Sequence, residues 1–524
     1  MKIEITNLNK IIDAGGNKNI LDKLLENDIE INNFCNGKGT CGKCKFKLLE
    51  GQVSSLTDSE ISLLSDDEKR NKTRLACLSY PKTDIKIQVD SPKSNIKVLD
   101  QGVKSDFKMI LKKGYGLAID IGTTTLAAYL VDLSTGEIID KDSAINSQSK
   151  YGLDVMTRIS FEYENENGIR LLQEEIIKSL NKIINNLSQR NNIGKGLIKE
   201  VVIAANTTML HMLVGKDARS LGKYPYKTEF LKSLSLNASD LGLDITSKVH
   251  TLPNVSAFVG SDIVAGVYLT ELQNKKDTLF IDIGTNGEIV LKTKDKLYCC
   301  STAAGPALEG MNIECGMRAQ SGAVEEIILN ENQISLKTIY NESPVGICGS
   351  GLLSAVSQIV SHGLVNKRGR ILDPNKLDKD DYRKKYIREN DSGKRYILLD
   401  DKNNIFLSQK DIRQVQLAKG AILSGFITLL KRENMEINDL NSVIIAGGFG
   451  SHLKREDITG VGILPKEAKN LINYVGNSSL IGAYIALMND QIKQDMQALS
   501  SQIEYIDLAT SDNYDIRFAK AMQF

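Results

Sequence analysis

Two textures of hydrophobic and polar positions divide the chain. Over residues 1–92 the patterns are short. Lys2-Ile3-Glu4-Ile5 and Lys45-Phe46-Lys47-Leu48 alternate as half-buried strands do, and Asp84-Ile85-Lys86-Ile87-Gln88-Val89 repeats that period. Ile20 to Leu25 has helical spacing, and Thr57-Asp58-Ser59-Glu60 is a capping box opening a short helix. These elements predict a small α+β domain over 1–92, followed by a polar linker over 93–113. From 114 to 524 the texture is α/β. Apolar strand-like runs such as Leu117-Ala118-Ile119, Leu279-Phe280-Ile281 and Val443-Ile444-Ile445 end in Gly/Thr/Asn turns, and helical stretches separate them. The polar patch from Leu377 to Asn403 reads as a surface excursion.

Charge narrows the possibilities. Lys and Arg total 66 against 65 Asp and Glu, a net charge of +1 in 524 residues. Without a basic excess, general nucleic-acid or membrane-surface binding is not expected. No apolar run approaches the length of a membrane span, and a cytoplasmic location is expected.

The eight cysteines fall in two groups, with Cys35, Cys41, Cys44 and Cys77 near the N-terminus. The spacing Cys35-x5-Cys41-x2-Cys44, with Cys77 following after 32 intervening residues, lies close to the C-x4-C-x2-C…C pattern of [2Fe–2S] proteins. One loop would supply three thiolates, and a distant turn the fourth. Gly37, Gly39 and Gly42 let that loop wrap tightly, so that its N–H groups can face cluster sulfurs. A structural zinc site is the alternative for four cysteines, although zinc sites more often pair two short C-x2-C hairpins. Cys299 and Cys300 are adjacent and cannot both face one site, so they read as buried strand residues.

A second chemistry is carried by a repeat. Asp120-Ile121-Gly122-Thr123-Thr124-Thr125 and Asp282-Ile283-Gly284-Thr285-Asn286-Gly287-Glu288 each follow a strand. Small and hydroxyl residues in such turns can offer backbone N–H groups to phosphate. An aspartate at the strand end can hold Mg²⁺ or orient an attacking water. Asp120, Asp282 and Glu288 are therefore the candidate catalytic residues. Gly447-Gly448-Phe449-Gly450, after a third buried strand, would lie against a nucleoside. The repeat predicts two similarly built halves. No Walker A pattern occurs, which excludes the P-loop class.

These turns, with Ala204–Leu210 and Gly476–Ala483 as inter-lobe connecting segments, resemble the acetate and sugar kinase, heat-shock chaperone and actin superfamily. The resemblance implies two ribonuclease-H-like lobes clamping Mg·ATP over 114–524. Phe34 to Cys44 is similar to the cluster loop of β-grasp [2Fe–2S] ferredoxins. The pairing of the two is similar to the reductive activators of corrinoid proteins, and segments such as Ala303–Ala319 and Gln409–Lys419 extend the likeness over nearly the whole chain. That family implies reduction of cob(II)amide to cob(I)amide on a partner, either a corrinoid iron–sulfur protein or a corrinoid methyltransferase component. It also implies a low-potential electron donor and allows a homodimer. The separate middle domain of larger family members is expected to be absent or reduced to the linker. Two other classes fit the same residues: a metabolite kinase with a redox-sensing ferredoxin domain, and a nucleotide-dependent chaperone-like binding module.

Overall fold

The computed structural model describes residues 1–16, 18–27, 29, 31, 37, 39, 42–89, 107–391, 393–447 and 453–524. Cys35, Cys41, Gly448, Phe449 and Gly450 lie outside the described residues. The chain forms two compact units, Met1–Asn95 and Ile96–Phe524.

In the first unit, five strands form one sheet: β1 (Lys2–Ile5), β2 (Lys10–Asp13), β3 (Lys45–Glu50), β4 (Thr73–Leu75) and β5 (Ile85–Val89). Their order is β2-β1-β5-β3-β4. The first and last strands run parallel at the centre, and the remaining pairs are antiparallel. The alternation puts Ile3, Ile5, Phe46, Ile85 and Ile87 on the buried face. Helix Ile20–Glu26 covers that face with Ile20, Leu21 and Leu24, and the Asn19 side chain caps its start. Burying each such side chain contributes about 1.5–3 kcal/mol. This is the β-grasp arrangement that the alternating segments predict.

The second unit holds two six-stranded sheets. The first contains β6 (Tyr115–Ile121), β7 (Thr125–Asp132), β8 (Ile138–Ile145), β9 (Ile198–Ala205), β10 (Ser235–Asn237) and β11 (Lys248–Thr251), in the order β10-β11-β9-β6-β7-β8. The second contains β12 (Thr278–Ile283), β13 (Gly287–Lys292) and β14 (Leu297–Thr302). Next come two small sheets, β15 (Ala323–Leu329), β16 (Ile334–Thr338) and β17 (Gly346–Ile347), then β18 (Ile387–Glu389), β19 (Arg395–Asp400) and β20 (Ile405–Ser408). β21 (Ser442–Ala446), β22 (Ile472–Gly476) and β23 (Ile503–Tyr505) complete the second large sheet, in the order β22-β21-β12-β13-β14-β23.

The repeat read from the two D-I-G-T turns is thus a repeat of topology. In each large sheet an antiparallel three-strand meander, β6-β7-β8 or β12-β13-β14, is extended by two parallel strands on the side of its first strand. This is the two-lobed ribonuclease-H-like plan. Helix Ser261–Leu269 carries the chain from the first sheet to the second, and helix Ser478–Met488 returns to pack on β6 and β9. The two helices meet closely at small residues: a Cβ on Gly482 would stand 2.6 Å from the Cβ of Ala265. Of the two segments expected to connect the lobes, Gly476–Ala483 does so. Ala204–Leu210 instead ends β9 and starts helix Thr207–Leu213 within the first lobe. No helix among the described residues is long and apolar enough to cross a membrane.

Candidate functional site

In the first unit Cys44 and Cys77 converge, both buried, with their sulfurs 3.2 Å apart. The separation is far longer than a disulfide bond of about 2.05 Å. It approaches the edge of about 3.8 Å that a tetrahedral metal with metal–sulfur bonds of about 2.3 Å imposes. These two thiols therefore fit as neighbouring ligands on one metal. Gly37, Gly39 and Gly42, shortly before Cys44, have φ of 78°, 69° and 64°, a conformation that side chains with a Cβ rarely adopt.

Cys77 sits in a short 3₁₀ turn pinned from both sides. Ala76 N donates to Cys44 O at 2.8 Å, tying the two cysteine segments together. Beneath the turn lies a buried ion pair. Arg74 Nε and Nη2 donate to the two Glu60 oxygens at 2.9 Å, and Leu75 N donates to Glu60 Oε1 at 3.0 Å. Burial pushes the Glu60 carboxyl up, but Arg74 and the backbone N–H groups of Leu75 and Thr57 hold it below its ordinary range. The capping box at Thr57 was legible, while the second task of Glu60, bracing the Cys77 turn, was not.

In the second unit the two D-I-G-T turns deliver carboxylates to one cleft. Asp120, at the end of β6, accepts hydrogen bonds from Asn477 Nδ2 at 2.9 Å and Ser479 Oγ at 2.8 Å. Asp282 and Glu288 face each other as directly paired residues of β12 and β13, and Ser301 Oγ donates to Glu288 Oε1 at 3.3 Å. A fourth carboxylate joins them. Asp262, in the first turn of the crossing helix, interacts electrostatically with Asp120, Asp282 and Glu288.

Shielding from water and mutual repulsion raise the whole set. Asp282 is pushed up to about 7, by burial first and then by Asp120. Asp262 is pushed up to about 8 by burial, then by Asp282 and Asp120, and Glu288 rises well above ordinary carboxylates through burial, then Asp262 and Asp282. Asp120 also rises with burial, although Asn477 and Ser479 restrain it. No cationic side chain bonds these four among the described residues. Such a set suits a divalent cation, which would replace the repulsion by coordination.

The turns around this set are built for close approach. Gly122 N donates to Thr125 O at 3.0 Å and Gly284 N to Asn286 O at 3.0 Å. Thr285 Oγ1 donates to Glu309 Oε1 at 2.7 Å, and Asn206 Nδ2 to Thr123 Oγ1 at 3.1 Å. Gly447 has φ +103°, and a Cβ there would stand 2.8 Å from Asp282 Oδ1. Gly447 therefore lies against the carboxylate set, whereas Gly287 at the start of β13 packs on Thr302 and Ile422. Gly346 to Gly351 form a short strand and a helix start. A Cβ on Gly351 would lie 2.0 Å from Val324 O, so close packing explains that glycine. Cys299 and Cys300 are both buried in β14, as their adjacency predicts.

Family comparisons cover the same ground. A model for a 2Fe-2S iron-sulfur cluster binding domain matches residues 3–82. The RACo middle region matches 115–275, and the C-terminal domain of RACo, the ASKHA domain, matches 276–524. The corrinoid activation enzyme RamQ of Eubacterium limosum is 33% identical over 407 residues, covering 76% of this chain and 68% of that protein. The chain belongs to the reductive activators of corrinoid proteins.

Two further relatives of this family of activators are a [Co(II) methylated amine-specific corrinoid protein] reductase of Methanosarcina barkeri and a solved reductive activator for a corrinoid, iron–sulfur protein. The first is 24% identical over 437 residues, covering 76% of this chain and 75% of that protein. The second has a TM-score of 0.73 at 28% identity and covers 100% of this chain and 98% of its own. The match at 115–275 corrects one expectation. This activator does not lack the middle region: that region is the lobe built on β6–β11. The short spacing after the cluster domain made it look absent, because the lobe begins with the D-I-G-T strand itself.

Proposed function

We propose that this activator passes single electrons to the cobalt of a corrinoid protein, reducing cob(II)amide to cob(I)amide, and that Mg·ATP held between its lobes drives the transfer. Cys35, Cys41, Cys44 and Cys77 would hold the [2Fe–2S] cluster, with the Glu60–Arg74 pair fixing the Cys77 turn. When bound, the cluster supplies one electron at a time at low potential. Asp120, Asp262, Asp282 and Glu288 would take Mg²⁺, and Gly122–Thr125, Gly284–Gly287 and Gly447–Gly450 would surround the nucleotide. The observation that carries the nucleotide reading is the convergence of four raised carboxylates from both lobes at the two phosphate-type turns.

A nucleotide is needed because cobalt accepts the electron at a lower potential than a ferredoxin cluster donates it. For one electron each 59 mV uphill costs about a factor of ten, and roughly 100–200 mV costs about 2–5 kcal/mol. A change in partner binding set by the nucleotide state of the lobes is large enough to supply this. The chemistry requires a low-potential donor and a reducing, cytoplasmic setting. The test is optical and anaerobic: reduce the cluster-loaded protein, add a cob(II)-loaded corrinoid protein, and record cob(I) with and without Mg·ATP. Asp120→Ala and Asp282→Ala should abolish the ATP-dependent signal with the cluster spectrum unchanged. Undiminished ATP-dependent reduction in both variants would sink the proposal. ATP hydrolysis with no cob(I) from any partner would favour a kinase or a chaperone-like module.

A further inference from the structure

Behind the first turn lies a polar network that neither the cluster nor the carboxylates use. Arg158, on helix Val155–Glu164, is fully buried. Among the described residues no carboxylate forms an ion pair with it, and Asp154 acts on it only through the electrostatic field. Its guanidinium spreads over neutral acceptors: Nη2 donates to Thr123 O at 2.6 Å, Nη1 to Gln148 Oε1 at 2.9 Å, and Nε to Gly152 O at 2.9 Å. Asn146, also fully buried, adds two more bonds to the same turn. Its Nδ2 donates to Gly122 O at 3.0 Å and its backbone N to Thr124 O at 2.9 Å.

Three consecutive carbonyls, of Gly122, Thr123 and Thr124, are therefore held toward one side. In a trans peptide the N–H of the next residue points the opposite way. The brace thus aims the Thr123, Thr124 and Thr125 N–H groups away from itself. The Thr124 hydroxyl of the same turn approaches Glu309 of the second lobe. Thr123 N and Thr124 N have no hydrogen-bond partner among the described residues. Successive free N–H groups of this kind form an anion-binding concavity.

We infer that Arg158 and Asn146 are positioning residues that set the anion-binding face of the Gly122–Thr125 turn, with Arg158 also supplying buried positive charge behind it. The inference rests on the reading of this turn as a phosphate site. A buried guanidinium with no ion-paired carboxylate is costly to keep. A phosphate on the far side of the turn would be its counter-charge. Burial lowers Arg158 to about 9, so it stays charged at neutral pH.

The test is calorimetric titration of the full, cluster-loaded chain with Mg·ATP and with adenosine, comparing wild type with Arg158→Gln, Arg158→Lys and Asn146→Ala. Arg158→Gln should weaken ATP binding about tenfold or more, with adenosine affinity held within about twofold. Arg158→Lys keeps the charge but loses the fork, and should fall between wild type and Arg158→Gln. A purely structural role would move both ligands together, so the ATP-to-adenosine ratio is the deciding readout. An unchanged ratio in folded Arg158→Gln overturns the inference. If that variant does not fold, an unchanged ratio in both Arg158→Lys and Asn146→Ala does the same. Wild type that binds ATP no better than adenosine would overturn the phosphate reading itself, and this inference with it.

Discussion

The raised carboxylates make a quantitative claim about Asp282. Its carboxyl is held near 7 against an ordinary 3.8, because the cleft shields it from water and Asp120 lies close. Each factor of ten in proton affinity is about 1.4 kcal/mol, so the full rise amounts to about 4 kcal/mol. Water entry and relaxation reduce what is realised to about 1–3 kcal/mol. The folded state therefore binds a proton that the unfolded state has already released, and stability falls as pH rises from about 4 to about 7. Above that range the penalty is complete. Asp282→Asn removes the charge at nearly constant shape. It should stabilise the metal-free protein by about 1–3 kcal/mol at pH 8, with a smaller gain at pH 5. The same variant should lose the stabilisation that wild type gains from Mg·ATP. Denaturant unfolding of the nucleotide-binding unit at both pH values, with and without Mg·ATP, measures all four quantities. A variant no more stable than wild type at pH 8 would refute the electrostatic account. A variant that still responds fully to Mg·ATP would remove Asp282 from the cation site.

Four further perturbations probe the remaining contacts. Arg74→Met leaves Glu60 charged and buried, so the ferredoxin unit should lose about 3–5 kcal/mol and shed its cluster absorbance at lower denaturant; an unchanged midpoint would deny the brace. Because the Glu60 carboxyl is depressed in the fold, its contribution is complete above the unfolded value of about 4.5 and disappears as pH falls through the folded value, so cluster retention in wild type should drop on acidification. Gly447→Ala puts a Cβ 2.8 Å from Asp282 Oδ1 at a φ of +103°, and should weaken Mg·ATP binding about tenfold with the cluster spectrum intact. Gly482→Val would overpack the helix crossing against Ala265, costing about 1–3 kcal/mol and slowing nucleotide-driven electron transfer more than nucleotide binding, as stopped-flow mixing would report.

Much of this was written locally in the chain. The capping box at Thr57 and the two D-I-G-T turns each depend on residues a few positions apart, and each folds as its pattern predicts. The residues that escaped notice act across long separations. Asp262 joins the carboxylate set because a helix crosses between lobes, and nothing near Gly260-Ser261-Asp262 marks it. Glu309 reaches Thr285 from the Ala303–Ala319 segment, which carried only the family likeness and no chemistry of its own. Arg158 and Asn146 resemble ordinary polar residues until the fold buries them behind the turn. The polar patch at 377–403 is not all surface, because Ile397 and Leu399 alternate on strand β19 and face inward. Composition over a window concealed a period of two.

These omissions share a physical cause that bears on coupling. Each missed residue sits where one lobe meets the other or where a helix backs a turn, so its charge has meaning only in the assembled cleft. Asp120 ends the first lobe's central strand, yet its two hydrogen-bond donors, Asn477 and Ser479, belong to the segment that returns from the second. Asp262 rides the helix that leaves the first lobe, and its repulsion is with Asp282 and Glu288 on the hairpin of the second. The lobes are thus held together by hydrogen bonds and pushed apart by charge within one cleft. A divalent cation removes the second term and leaves the first. On the proposed function, cation and nucleotide binding would then favour closure of the lobes through the same carboxylates that would hold the ion, which is the differential affinity a conformational drive requires.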